Sequence, residues 1–527
     1  MKTPRLLILA LVALLLPSIA TARVQFGLNE FPVSEFRDWE DIAEQCAAPA
    51  AGGFWCDQTD TVLTRIPTKG ADFFFNDAGE LLAVYAKAQK GQALGSYQLR
   101  NAQNLIPADA QLPGGAILVD GDYLPVEDAD GSWQQVSDSE VEGRFTFRAG
   151  DLDVVRVVRV SNITHTLKTA VRAEGLDDDA GALQLAFEGI ARQETPTVRL
   201  GQAAGSTVNP LSQPVADPAY ISVHNTNRNS GNAIVMRPAG SADESPLSLD
   251  EATTAVANGA SQGLEAVNLQ NGVIAMQRPL SENESAAELA VDVYTGPNEL
   301  VRYTQEGYAE LPGLFEPNIL GRLSVGIIWV LRYIQEFVNS WGLSIIVLTL
   351  LFRVLIWPLI STQTKSMFGM QALQPKIQAL QKKYKDNREK LTEETMKLYR
   401  EAGVNPAGGC LPILLQMPLF IILWRVFVNF EFDEGFLWIP DLGQADPLYI
   451  LPALYVAVMV GMSWFSTRSN PNMFRQQMLI NVIFVFILVG FPAGVILYFV
   501  VSMGVQVLQY WLLSRNRPQP QPAKGAR

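Results

Sequence analysis

The stretch Leu343-Ser-Ile-Ile-Val-Leu-Thr-Leu-Leu-Phe-Arg-Val-Leu-Ile-Trp-Pro-Leu-Ile360 decides the reading of this chain. It is long and apolar enough to cross a bilayer, yet Arg353 stands in its middle. Ten residues at ~1.5 Å rise put Arg353 ~15 Å below the start of the run, near the bilayer midplane. An arginine there costs at least ~2.5–3.5 kcal/mol on insertion scales, and a guanidinium cannot neutralise itself by losing a proton. The expectation is a water-filled cavity around Arg353, visited by anionic groups.

Moving outward, the 527 residues are too many for one core, and composition changes sharply near residue 320. Residues 1–320 hold 21 Lys+Arg against 42 Asp+Glu, whereas the rest hold 19 against 11. An acidic half is thus joined to a basic one. The acidic half has no basic stripe with interleaved aromatics, which argues against nucleic-acid binding.

Residues 1–22 have a charged start, a short apolar core from Leu6 to Ala20, and Ala20-Thr21-Ala22 as a cleavage site before Arg23. This is a signal peptide or an uncleaved signal-anchor span, and either one exports the segment after it. In the exported segment, Cys46 and Cys56 allow a disulfide closing a small loop; two unpaired thiols are the alternative. Cys410 enters a later apolar run as a small buried residue.

Residues 24–316 read as an exported all-β sandwich. Runs such as Phe145-Thr-Phe-Arg148, Val154-Val-Arg-Val-Val-Arg-Val160 and Leu183-Gln-Leu-Ala-Phe187 alternate with Gly, Asn and Asp turns. Asp120-Gly-Asp122 and Asp177-Asp-Asp179 lack the ligand spacing of a calcium loop and read as solvated turns. His165 and His224, the only histidines, have no metal-ligand spacing, and no metal or other cofactor is expected. Residues 317–341 form an interfacial amphipathic helix, with Ile327, Ile328, Leu331, Ile334, Phe337 and Val338 on one side and Arg322, Arg332, Glu336 and Asn339 on the other.

Residues 342–514 form an α-helical transmembrane bundle of five spans, at about 342–362, 407–429, 447–466, 477–490 and 493–513. Loops 363–405 and 467–476 and the tail 515–527 carry lysines and arginines, while loop 430–446 carries none and holds Glu431, Asp433, Glu434, Asp441 and Asp446. This alternation puts the basic segments in the cytoplasm and the β domain outside. In the loop 363–405, Leu373, Ile377, Leu380 and Tyr384 share a helical face, Asp386-Asn387 breaks it, and Leu391, Met396, Leu398 and Tyr399 resume it. That pattern predicts a cytoplasmic helical hairpin.

The residues around Arg353 resemble the YidC membrane protein insertases. The motifs are Leu351-Phe-Arg-Val354, Leu373-Gln-Pro-Lys-Ile-Gln-Ala-Leu380, Met396-Lys-Leu-Tyr399, Val404-Asn-Pro-Ala-Gly-Gly-Cys-Leu-Pro412 and Gln416-Met-Pro-Leu419. Asp446-Pro-Leu-Tyr-Ile-Leu-Pro452 and Phe491-Pro-Ala-Gly494 with Leu497-Tyr498 complete the set, in family order from about 320 to 514. The resemblance implies five helices around a hydrophilic groove open to the cytoplasm and the lipid. Thr349, Gln416 and Ser463 add polar groups to spans that would otherwise be apolar, and Tyr498 and Phe499 offer an aromatic surface to an apolar client helix. The sequence departs from the family pattern in carrying Phe499 where a tyrosine is usual and Ser463 where some members carry an amide.

The implied mechanism is binding without chemistry. Arg353 attracts an acidic residue of a nascent membrane protein, a hydrophilic segment enters the groove, and the client's apolar helix passes into the lipid bilayer. The Sec translocon and the ribosome are candidate partners, although the Pro-rich tail Arg517-Pro-Gln-Pro-Gln-Pro522 offers a ribosome little basic surface. No ATP motif or nucleophile–base pair is present, and the spans lack the histidines or paired aspartates of an intramembrane protease. A small-solute transporter or channel is the alternative.

Overall fold

The computed structural model describes residues 34–36, 63–86, 105–106 and, from 110 to 515, all but 138, 190–195, 209, 211, 225–230, 240–261, 270–271, 316, 386, 403–410, 468–474, 476–477 and 480–487. The N-terminal segment 1–22, Cys46, Cys56, Cys410 and most of the 477–490 span lie outside the described residues. The described residues divide into two compact units, one within Gln25–Ile319 and the other within Leu320–Arg527.

The first unit is built of antiparallel sheets. The largest has nine strands, running from the edge Gly205–Val208 through Thr197–Gln202, Tyr220–His224, Asn232–Pro238, Ala286–Pro297, Thr166–Glu174, Leu152–Ser161 and Glu140–Ala149 to the opposite edge Val126–Ser137. A six-stranded sheet centred on Val273–Pro279 and Ala182–Glu188 faces it, and a four-stranded sheet includes Ala71–Phe75 and Leu81–Ala86. One apolar cluster fills the space among them, with Phe73, Phe75, Phe145, Val158, Leu185, Phe187, Ile274 and Val291 at its centre. The alternating runs read from the sequence fall inside the strands Glu140–Ala149, Leu152–Ser161 and Ala182–Glu188, because period-two alternation buries one face of each strand. The edge strand Val126–Ser137 is mostly exposed, interrupted by two register shifts and rich in acidic residues, which discourages pairing with another chain.

Asp120 takes a left-handed conformation and its carboxylate caps the backbone N–H groups of Gly181 and Ala182, so it works as a turn residue. No cluster of metal-ligating side chains occurs among the described residues. His224 is buried with Nε2 2.9 Å from Ser222 Oγ. Burial, assisted by nearby Arg199, pushes its pKa from 6.5 down to about 3. The unfolded chain therefore takes up a proton near pH 6.5 that the folded domain refuses until about pH 3, so this group costs stability as pH falls below 6.5. With two histidines in the chain, labelled imidazole spectra are simple to read. The His224 resonance stays unshifted from pH 8 to about pH 4; titration near pH 6.5 would show that it is not buried neutral.

The second unit is helical. Its helices follow α1 (Leu300–Gln305) of the first unit and are α2 (Ile319–Val338), α3 (Trp341–Lys383), α4 (Arg388–Glu401), α5 (Leu411–Asn429), α6 (Ile450–Thr467) and α7 (Ala493–Arg515). The first span and the first arm of the predicted helical hairpin, read as separate from sequence, form one continuous 43-residue helix that carries Pro358 and Pro375 within it. Asn387 stops that pattern and starts the next helix, its side chain accepting from Lys390 N at 3.0 Å. Among the described residues, two helices, over Trp341–Thr362 and Ala493–Arg515, are long and apolar enough to cross a membrane, and shorter apolar stretches occupy Gln416–Asn429 and Ile450–Trp464.

The amphipathic segment carries two apolar faces where the sequence suggested one. Ile328, Leu331 and Ile334 turn inward, whereas Phe337 joins Trp329 and Tyr333 in an exposed aromatic row. Arg332, assigned from sequence to the polar side, lies half-buried over the Phe430 ring at 5.9 Å. Phe430 also belongs to an aromatic cluster with Trp341 and Phe432, beside which the Trp341 indole donates to Asp433.

Candidate functional site

α3 and α7 pack along each other, and α7 also contacts α6 and α5. Helical spacing places Thr349 and Arg353 one turn apart on α3, with Trp357 a further turn on. On α7, Tyr498, Ser502 and Gln509 recur at intervals of four and seven, which also stacks them on one face. Where the two faces meet, polar groups form a seam inside an apolar bundle. The Arg353 guanidinium donates Nε–H to Ser502 Oγ at 2.7 Å and a second bond from Nη2 to the same oxygen. Further along α7, Gln509 Nε2 donates to the Trp357 carbonyl at 3.1 Å and to Ser361 Oγ at 3.0 Å. This fastens α7 to the turn of α3 that contains Pro358.

Thr349 is buried and its hydroxyl returns to its own helix, donating to the Ile345 carbonyl at 2.6 Å. Gln416 on α5 donates from Nε2 to the Tyr498 hydroxyl at 2.8 Å. Ser463 is buried on α6. Arg353 with Ser502 and Gln416 with Tyr498 thus form two bonded pairs one turn apart along α7, and Thr349 and Ser463 are not joined to either by these bonds. Tyr498 and Phe499 are both buried, and Phe499 stacks on Phe420 at 5.7 Å and lies 6.0 Å from Tyr455. Their rings thus belong to the interior, and the outward apolar surface is supplied by other residues. Leu351, Val354 and Leu355 on α3 are 56–75% exposed, with Met417 and Ile421 on α5 and Trp464 on α6 also open. Such an expanse of uncovered apolar side chains suits hydrocarbon.

Arg353 is only 7% exposed. Among the described residues no carboxylate pairs with it, and its protein partner is a neutral hydroxyl. Sequence reasoning singled out Arg353 but missed Ser502 and Gln509. Their signal was present in the spacing of polar residues on the last span.

The profile of the family described as 60Kd inner membrane protein matches residues 333–520. The membrane protein insertase YidC of Deinococcus radiodurans is 32% identical over 380 residues, covering 71% of this chain and 82% of that protein. The YidC insertase of Pseudomonas fluorescens is 37% identical over 238 residues, covering 44% of this chain and 41% of its own length. A crystal structure of an active YidC insertase with its first transmembrane domain resolved superposes with a TM-score of 0.54 at 20% identity, covering 85% of this chain and 91% of the other, a likeness of fold. A relative of this identity aligned over most of its length leaves one assignment: the chain belongs to the YidC family of membrane protein insertases.

Proposed function

We propose that this chain inserts nascent membrane proteins into the bacterial inner membrane by binding them in a polar groove, without making or breaking covalent bonds. The observation that carries the reading is a buried Arg353 in an apolar bundle whose partner carries no charge. A full positive charge with only a hydroxyl to neutralise it keeps an unmet demand for an anion. Thr349, Gln416, Ser463, Tyr498 and Phe499 line the route with Arg353. A hydrophilic client segment enters from the cytoplasm, its acidic group approaches Arg353, and its apolar helix leaves along Leu351, Val354 and Leu355. Transfer of ~20 apolar residues into lipid, at several tenths of a kcal/mol each, drives the step. A membrane potential contributes ~2.3 kcal/mol per charge per 100 mV toward moving acidic groups outward.

In this arrangement the spans lie at about 342–362, 407–429, 447–466, 477–490 and 493–513, the β domain is periplasmic, and α4 with the end of α3 forms a cytoplasmic hairpin. The positive-inside distribution of Lys and Arg supports it. The protein acts alone or together with the Sec translocon. Reconstitution tests the reading. Proteoliposomes holding only this protein insert a single-span client with an acidic exported tail, judged by protease protection of that tail. Vesicles that conduct small solutes and protect no tail would instead identify a transporter or channel.

A further inference from the structure

Ser502 lies outside the motifs that mark the family resemblance, yet it is the residue that fixes Arg353. It stands one turn beyond Tyr498 on α7 and is fully buried. Its Oγ accepts two N–H groups from Arg353, so its own hydroxyl proton must point elsewhere. One turn back on the same helix, the Tyr498 hydroxyl accepts from Gln416 Nε2 at 2.8 Å. Two bonds thus run from Arg353 to Ser502, and one from Gln416 to Tyr498.

What this group has left over is chemically one-sided. A guanidinium has five N–H donors, of which two are engaged with Ser502, and the remaining three meet no acceptor among the described residues. The Tyr498 oxygen accepts from Gln416, which leaves its own proton to donate. Apart from the Gln416 carbonyl, the spare capacity of the group consists of donors. Such a site takes a ligand that only accepts, and the positive charge favours an anionic one such as a carboxylate. Without Ser502, the guanidinium would have no protein group to hold it and could swing among rotamers, at an entropic cost to each binding event.

We propose that Ser502 is a positioning residue, holding the Arg353 guanidinium through two N–H groups so that the other three are presented to a carboxylate on the client. This rests on the insertase reading above, and the test separates the two. Full-length protein in proteoliposomes is offered a single-span client with an acidic exported tail, and the same client with Asn and Gln in place of the acids. Ser502→Ala lowers insertion of the acidic client about five- to tenfold, within the range of one net hydrogen bond, and changes the neutral client less than about twofold. Ser502→Thr, which restores the hydroxyl, recovers the acidic client. In an Arg353→Ala background, Ser502→Ala has no further effect.

Equal loss for both clients, or no loss for the acidic one, overturns the positioning role. So does a fall in thermal unfolding temperature in detergent for Ser502→Ala that accounts for the lost insertion, with the thiol variant Ser502→Cys losing insertion and stability in the same proportion. If Arg353→Ala leaves both clients inserting normally, the groove reading itself fails, whatever Ser502 does.

Discussion

Arg353→Ala lowers insertion of a client with an acidic exported tail by about 10- to 100-fold, the range expected when a hydrogen-bonded charge worth ~1.5–3 kcal/mol is removed. The same variant inserts a client with an uncharged tail far better than an acidic one, because the lost term is the attraction for a carboxylate. Arg353→Lys keeps the charge and one donor toward Ser502, and stays within about threefold of the native protein even though a single ammonium cannot reproduce the guanidinium fork. The bundle itself survives either change. An arginine whose partner is one hydroxyl contributes little net stability, since burying the charge costs as much as the bond returns. Thermal unfolding in detergent checks that point. If both variants unfold early and lose insertion for every client alike, Arg353 is a structural residue and the groove has another organiser.

The part of this architecture legible in sequence was the part written in periodicity and charge. Period-two runs placed the strands around Phe145, Val154 and Leu185, and apolar length placed the helices over Trp341–Thr362 and Ala493–Arg515. Arg353 announced itself because a charge in hydrocarbon is expensive enough to need a reason. Its partner was harder to see. Ser502 is small and neutral, cheap enough in a helix to look incidental, and only the packing of α7 on α3 gives it meaning. The two faces of α2 were hidden for a different reason. Helical spacing separates apolar from polar residues, but it cannot tell an apolar face covered by protein from one left open, so Phe337 and Ile334 looked alike until their surroundings were known. Tyr498 and Phe499 show the same limit in reverse, as aromatics in a span that turned out to face inward.

Arg156→Met destabilises the β domain by about 3–5 kcal/mol near pH 7, the cost of leaving a buried charge without its counterpart. Arg156 sits on the strand Leu152–Ser161 with its side chain on the core face beside Val154 and Val158, and is 1% exposed. Nη1 donates to the Ala78 carbonyl at 3.1 Å and Nη2 to the Gly115 carbonyl at 2.6 Å, while the guanidinium carbon lies 5.1 Å from the Phe147 ring centroid. Ala78 is in the hairpin between Ala71–Phe75 and Leu81–Ala86, and Gly115 leads into Ala116–Val119 of the six-stranded sheet. One side chain thus ties all three sheets together. The nearby Glu80 is also buried and accepts from Asn76 Nδ2 at 2.8 Å. Burial raises the Glu80 pKa, which the Arg156 charge and the Asn76 bond partly offset, and burial lowers that of Arg156. A carboxylate whose folded pKa is raised binds its proton more readily folded than unfolded, so its ionisation costs stability as pH rises from the ordinary carboxylate range through the folded value. Removing Arg156 removes the positive charge that limits this cost, and the penalty of Arg156→Met is therefore largest at neutral pH and shrinks on acidification. Calorimetry of the full chain in detergent reads the effect as a drop on the order of 10 °C in the unfolding of the β domain. Adding Glu80→Gln recovers part of the loss, because the orphaned charge is gone. An unfolding temperature unchanged by Arg156→Met would mean that the sheets hold together through apolar contacts alone, with Arg156 a tolerated passenger in their core.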